Sequence, residues 1–213
     1  MRDIALKVPL VIQRNKFDCS IASLQMLLQY YGKDISYDEL KSRLNIYVNK
    51  NERHIEASAI LSAEEGFNVH FINHNKTVLG DTLQNLTEKD LAKFKSAYAE
   101  CKEGNNEFKK TKIKLTIEFI KKGGHLSTAE PDFNLLTGAL TIGNPIILCV
   151  KVSTLRSDAD LKGNHYIVIT GIQNKKLVIN DPSPKYKSPY IMDMEIIISA
   201  WNQTDSYALW IEK

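Results

Sequence analysis

The stretch from Cys19 to Tyr31, CSIASLQMLLQYY, constrains the fold more than any other part of the chain. Ile21, Leu24, Leu28 and Tyr31 recur at the three-and-four spacing of a helix, and Ala22, Met26 and Leu27 extend the apolar character almost all the way round it. A helix with one polar face can lie on a surface, whereas one that is apolar on every side has to be enclosed. The spacing therefore predicts a helix from Cys19 at the centre of a domain, ended by Gly32. With 213 residues and 43% hydrophobic content, the chain can surround it without help from disulfides or metals. We expect a single domain over 1–213.

Further elements follow from the same reading. Residues 8–13 look extended. Ser36 with Glu39 three residues on forms a capping box that predicts a helix over 36–44. A helix over 54–65, closed by Gly66, precedes a short alternating strand over 68–72. Residues 87–102 read as helical, with Leu91, Phe94, Tyr98 and Cys101 on one stripe. The lysine-rich stretch 109–122 is amphipathic, as strand or helix. We expect 75–130 to be an insertion, either a solvated surface face or a lid or docking face for an acidic partner. Downstream, 133–140 reads as helix, 146–152, 165–172 and 177–180 as strands apolar on both faces, 194–201 as helix and 207–211 as a closing strand. Helices early and strands late predict an α+β fold, a helical half packed on an antiparallel sheet.

Composition removes several classes of function. A net charge of +3, with no basic run interleaved with aromatics, argues against a nucleic-acid partner. No apolar run approaches the roughly 20 residues that span a bilayer, so no membrane partner is expected. Three cysteines without framework spacing argue against disulfides and for a reducing, cytoplasmic setting. His70 and His74 stand four apart, but in a strand-like segment without a third ligand, so neither a metal nor any other cofactor is expected.

The chemistry-bearing candidates are Gln13, Cys19, His165 and Asp181. Cys19 opens the buried helix, where the helix dipole favours a thiolate. Asp18 would oppose this unless its carboxylate caps the helix, which is the expectation. Cys101 and Cys149 lie in apolar contexts and read as core residues. Gln13, six residues before Cys19, can offer an amide N–H to a developing oxyanion together with the backbone N–H of Cys19. His165 opens a strand, and Asp181 closes the next one, before Pro182. They share a sheet face only if the hairpin pairs residues whose numbers have an even sum. A three-residue loop at 173–175 does this and sets Ile167 opposite Asp181, with His165 one diagonal step away. Without that register, Asn180 is the alternative third member.

The segment IQRNKFDCSIASLQMLLQYYG resembles the start of the C39 peptidase family, whose members pair Gln-x(4)-Asp/Glu-Cys with a buried helix. GNHYIVITGIQNKKLVINDPSP resembles that family's histidine strand and the Asp-Pro strand after it, and TIGNPIILCVKVSTL its preceding strand. The resemblance implies a papain-like fold with Cys19 as nucleophile, His165 as base, Asp181 as its orienting group and Gln13 as oxyanion donor. It implies a peptide or protein substrate. Two departures stand out: Ser20 replaces the usual glycine after the cysteine, and 146 positions separate Cys19 from His165, more than in transporter-linked members. The stand-alone branch is therefore the nearer match. Two alternatives stay open. One is an acyl transferase of the phytochelatin synthase type, which shares the fold. The other is a binding module that keeps the scaffold without catalysis.

Overall fold

The all-round apolar segment forms the helix that its pattern predicts. In the computed structural model, which describes residues 2–47, 55–73, 91–100, 107–128, 130 and 132–213, α1 (Cys19–Tyr30) lies inside the domain. Ile21, Leu24, Met26, Leu27 and Leu28 are wholly buried. Enclosing each such side chain is worth roughly 1.5–3 kcal/mol. The buried polar Gln25 is satisfied too, its Nε2 donating to Ile35 O at 2.9 Å. The helix ends as Gly32 suggests, with Gly32 N–H bonded to Gln29 O and Lys33 N–H to Leu28 O.

In chain order the remaining elements are β1 (Ile4–Ala5), α2 (Tyr37–Tyr47), α3 (Ile55–Glu64), β2 (Asn68–Ile72), α4 (Leu91–Glu100), α5 (Glu107–Lys121), β3 (His125–Ser127), α6 (Phe133–Thr141), β4 (Ile146–Lys151), α7 (Val152–Arg156), β5 (Asn164–Gln173), β6 (Lys176–Asn180), β7 (Tyr190–Met192), α8 (Met194–Asn202) and β8 (Ala208–Glu212). The fold is α+β, as the order of elements predicts. The sheet runs β3-β2-β8-β4-β5-β6-β7, with β1 also paired to β5. Every pair is antiparallel except β2 with β3. The first half thus contributes strands as well as helices to the sheet.

Alternation along the strands divides the core in two. Ile147, Cys149, Tyr166 and Val168 face one side, with α1, α2, α3 and α5. Ile146, Leu148, Ile167 and Ile169 face the other, with α6, α7 and α8. The lysine-rich stretch is α5. It buries Ile113, Thr116, Phe119 and Ile120, while Lys112 reaches Asp205 at 2.5 Å and Lys122 reaches Glu64 at 3.0 Å. Residues 107–128 thus contribute to the core through these side chains, with β3 adding an edge strand, where the sequence left open a solvated face or a lid or docking face. Residues 74–90 and 101–106, including Cys101, and the side chain of Tyr98 lie outside the described part, so the expected stripe on 87–102 is represented by Leu91 and the buried Phe94.

Residues 8–13 join no ladder. They belong to a strap running from β1 to α1, with Val8 and Val11 packed on the side of the sheet that carries α1. Leu6 N–H binds Thr170 O, Asn180 Nδ2 donates to Val8 O at 3.1 Å, and Gln13 N–H binds Pro182 O at 2.8 Å.

Candidate active site

The strap delivers Gln13 and Cys19 to the end of the sheet where β5 begins and β6 stops. Cys19 is the first residue of α1, so its backbone N–H has no acceptor within the helix. Its side chain is buried beside the imidazole of His165, close enough to help raise the pKa of the ring. His165 Nε2 lies 2.7 Å from Asp181 Oδ1. With Nε2 on the carboxylate, Nδ1 is the ring nitrogen left for the sulfur.

The register that joins histidine to aspartate is the one expected, but a different device sets it. The β5–β6 turn has two residues, Asn174 and Lys175, both at positive φ, between the closing pair Gln173 and Lys176. That turn alone would put Asp181 on the wrong face. The register shifts between Ile169 and Gly171, so that Thr170 is an extra residue, and beyond it Val168 faces Asn180. One step further, Ile167 is opposite Asp181. The odd loop is thus replaced by a tight turn plus a bulge. Gly171 is required beside it, because a Cβ there would lie 2.2 Å from Ile4 O on β1. Asn180, the alternative third member, sits on the other face and is spent on the strap.

Asp181 is wholly buried. Oδ1 accepts from His165 and from Ser183 N–H at 2.8 Å, while Oδ2 accepts from the Tyr190 hydroxyl at 3.1 Å and from Arg156 Nη2. Burial works to raise its pKa, but His165, Ser183 N–H and Arg156 outweigh it and hold the carboxyl below the usual range. For His165 burial works to lower the pKa. The bonds and charges of Asp181 and Cys19 outweigh it and lift the imidazole from 6.5 to about 9. The ring is thereby suited to hold a proton at neutral pH. Cys149 is a contrast, pushed up to about 12 by burial and, secondarily, by the neighbouring Cys19. It lies in the core, as its apolar context suggests.

Two placements differ from expectation. Asp18 precedes α1 but makes no side-chain cap. Its buried carboxylate instead takes Lys41 Nζ and Asn15 Nδ2, each at 2.8 Å, so α2 supplies a cation that offsets the negative charge beside Cys19. Gln13 Nε2 donates to Asn15 O at 2.8 Å and Lys16 O at 3.3 Å, while its Oε1 is buried without a partner. In this state the amide serves the loop that leads into α1. Sequence reasoning missed Arg156, Ser183 and Tyr190. The Asp-Pro-Ser spacing of an Asx-type turn could have flagged Ser183. Arg156, 25 positions from Asp181, carries no local signal. His70 stacks on Trp210 and His125 and lies 3.4 Å from Glu212, and no metal-binding group occurs among the described residues. His74 lies outside them.

A helix with cysteine at its N-terminus, packed on a sheet that offers histidine from a strand end, defines a papain-like cysteine protease fold. Residues 5–209 match the model of the Peptidase_C39 like family, and the chain belongs to that family. Among solved structures, a proposed C39-like peptidase from Bacillus anthracis aligns over 100% of this chain and 98% of its own, with a TM-score of 0.53 at 14% identity. The peptidase domain of Streptococcus ComA, a bi-functional ABC transporter of a quorum-sensing pathway, aligns over 96% and 98%, with a TM-score of 0.50 at 19% identity. These likenesses are of fold. No curated protein matches the chain. No described helix is long and apolar enough to cross a membrane.

Proposed function

We propose that this protein is a cysteine peptidase in which Cys19 is the nucleophile, His165 the proton carrier, Asp181 the group that orients and charges His165, and Gln13 an oxyanion donor. One observation carries the reading: the imidazole of His165, a neighbour of the Cys19 thiol, is held by a buried carboxylate, 2.7 Å from Asp181 Oδ1. An aspartate and thiol so arranged favour the imidazolium, the state that pairs with a thiolate. The thiolate attacks the carbonyl carbon of a peptide bond. Negative charge collects on the carbonyl oxygen and is met by the Cys19 backbone N–H and the Gln13 amide. For this, Nε2 turns away from Lys16 O, the longer of its two bonds. His165 protonates the leaving amine, then takes a proton from the water that releases the acyl group.

The test is digestion of a peptide library by the wild-type chain and by Cys19→Ala, with products identified by mass spectrometry. Cleavage by the wild type and none by the variant is expected. Equal cleavage by both would overturn the assignment of the nucleophile. Products extended by an added amine, in place of free carboxylates, would make the enzyme a transferase.

A further inference from the structure

Arg156 has no part in the chemistry described above, yet it is tied to it. It is the last residue of α7, directly after β4, and its side chain is only 11% exposed. Its Nη2 donates to Asp181 Oδ2, on the opposite side of the carboxylate from His165. The guanidinium lies 3.5 Å from the Tyr186 ring centroid and 5.3 Å from that of Tyr190. Tyr190 also donates to Oδ2. An arginine stacked on one ring and bonded at its tip has little freedom to leave.

We infer that Arg156 is a positioning residue of this site: it fixes the carboxylate of Asp181 in the orientation that meets His165, and its permanent charge sets how many protons the Cys19–His165 pair holds. This rests on the thiol reading of the site. Asp181 lies between two cations, and arginine cannot release its proton. The groups facing His165 are Cys19 and Asp181, and across the carboxylate stand Arg156 and the Tyr190 hydroxyl. With thiolate, imidazolium, carboxylate and guanidinium together the cluster is neutral, and moving the proton from nitrogen back to sulfur leaves it neutral. A further proton makes it cationic in a buried place, which is unfavourable. Arg156 thus guards against a doubly protonated, unreactive pair and keeps the imidazolium acidic enough to give its proton to a leaving amine. Without the guanidinium, Asp181 would hold His165 in the charged form to higher pH.

The test is an NMR titration of the full chain, labelled with carbon-13 at histidine, with the His165 signal assigned by its loss in His165→Gln. In Arg156→Gln the His165 midpoint is expected to rise by about one pH unit. In Arg156→Lys, which keeps the charge, it should stay within a few tenths of wild type. A purely structural role would lower stability in both variants and leave the midpoint where it is. That result in folded Arg156→Gln, as judged by circular dichroism, overturns the inference. Should Arg156→Gln not fold, Asp181→Asn is compared with Asp181→Asn/Arg156→Gln, which leaves no buried charge unpaired. The midpoint must be higher in the double variant, and equal midpoints overturn the inference. The titration needs no turnover, so an inactive wild type would sink the peptidase reading and leave this measurement standing.

Discussion

Replacing Asp181 by asparagine keeps the shape of the side chain and removes its charge. The two oxygens of Asp181 take four donors, from His165, Ser183, Tyr190 and Arg156. Asparagine has one oxygen and one NH2. If its oxygen stays with His165 and Ser183, the NH2 points at the guanidinium of Arg156 and the Tyr190 hydroxyl. Turned the other way, it faces Ser183 N–H and loses the carboxylate that charges His165. Either way the Arg156 guanidinium, 11% exposed, keeps its charge in a buried place with no anion beside it. Removing one partner of a buried pair costs about 3–5 kcal/mol. The midpoint of His165, about 9 in the wild type, should fall to 6.5 or below, because burial then acts with nothing to oppose it except the sulfur. That fall corresponds to about 3 kcal/mol, and it shares its origin with the first figure, so the two do not add. Urea unfolding at pH 6, followed by tryptophan fluorescence, measures the stability, and carbon-13 histidine NMR measures the midpoint. A loss of under about 1 kcal/mol together with a His165 midpoint still near 9 would refute the reasoning, since the carboxylate would then neither hold the arginine nor charge the histidine.

Other outcomes follow from the same arrangement of residues. Because the folded pKa of His165 is raised, its contribution is fully present below 6.5 and is lost as pH climbs to about 9. Unfolding free energy, measured by urea titration across that window, should fall by up to about 3 kcal/mol, and a flat profile would contradict the lifted imidazole. Iodoacetamide at pH 6 should label Cys19 and leave Cys149 untouched, since burial has driven the Cys149 thiol up to about 12. Peptide mapping reads this, and equal labelling of both would speak against an activated Cys19. Gly171→Ala should destabilise the fold by more than about 1 kcal/mol, because the new methyl would meet backbone, Ile4 O at 2.2 Å, and β1 would have to move away. A melting temperature unchanged from wild type would show that β1 contributes nothing.

The centre of the fold was legible because it is written in local pattern. The all-round apolar run of α1, the Ser36 cap that receives Glu39 N–H at 3.2 Å, and the alternation that sends Ile147 and Leu148 to opposite sides of the sheet each need only neighbours in sequence. The meeting of His165 with Asp181 was legible because parity restricts which register can join them. The means was not: Asn174 and Lys175 accept positive φ and close a two-residue turn, and no residue-level pattern marks Thr170 as the extra one. Asp18 was misjudged for a similar reason. A carboxylate at a helix start ordinarily caps it, but a half-buried lysine ammonium on a neighbouring helix competes better than a backbone N–H, and that neighbour is invisible from position 18. Arg156 is the extreme case, since its contact with Asp181 exists only once β4, α7 and β6 have been assembled.

The doubled residue at Thr170 has a practical consequence. Because it lies between the hairpin tip and the reacting groups, the spacing at one end is set separately from the alignment at the other. A short peptide tag or fluorophore anchor spliced between Asn174 and Lys175 would be read out by the tip alone. Labelling chemistry aimed there should leave the catalytic alignment as it is.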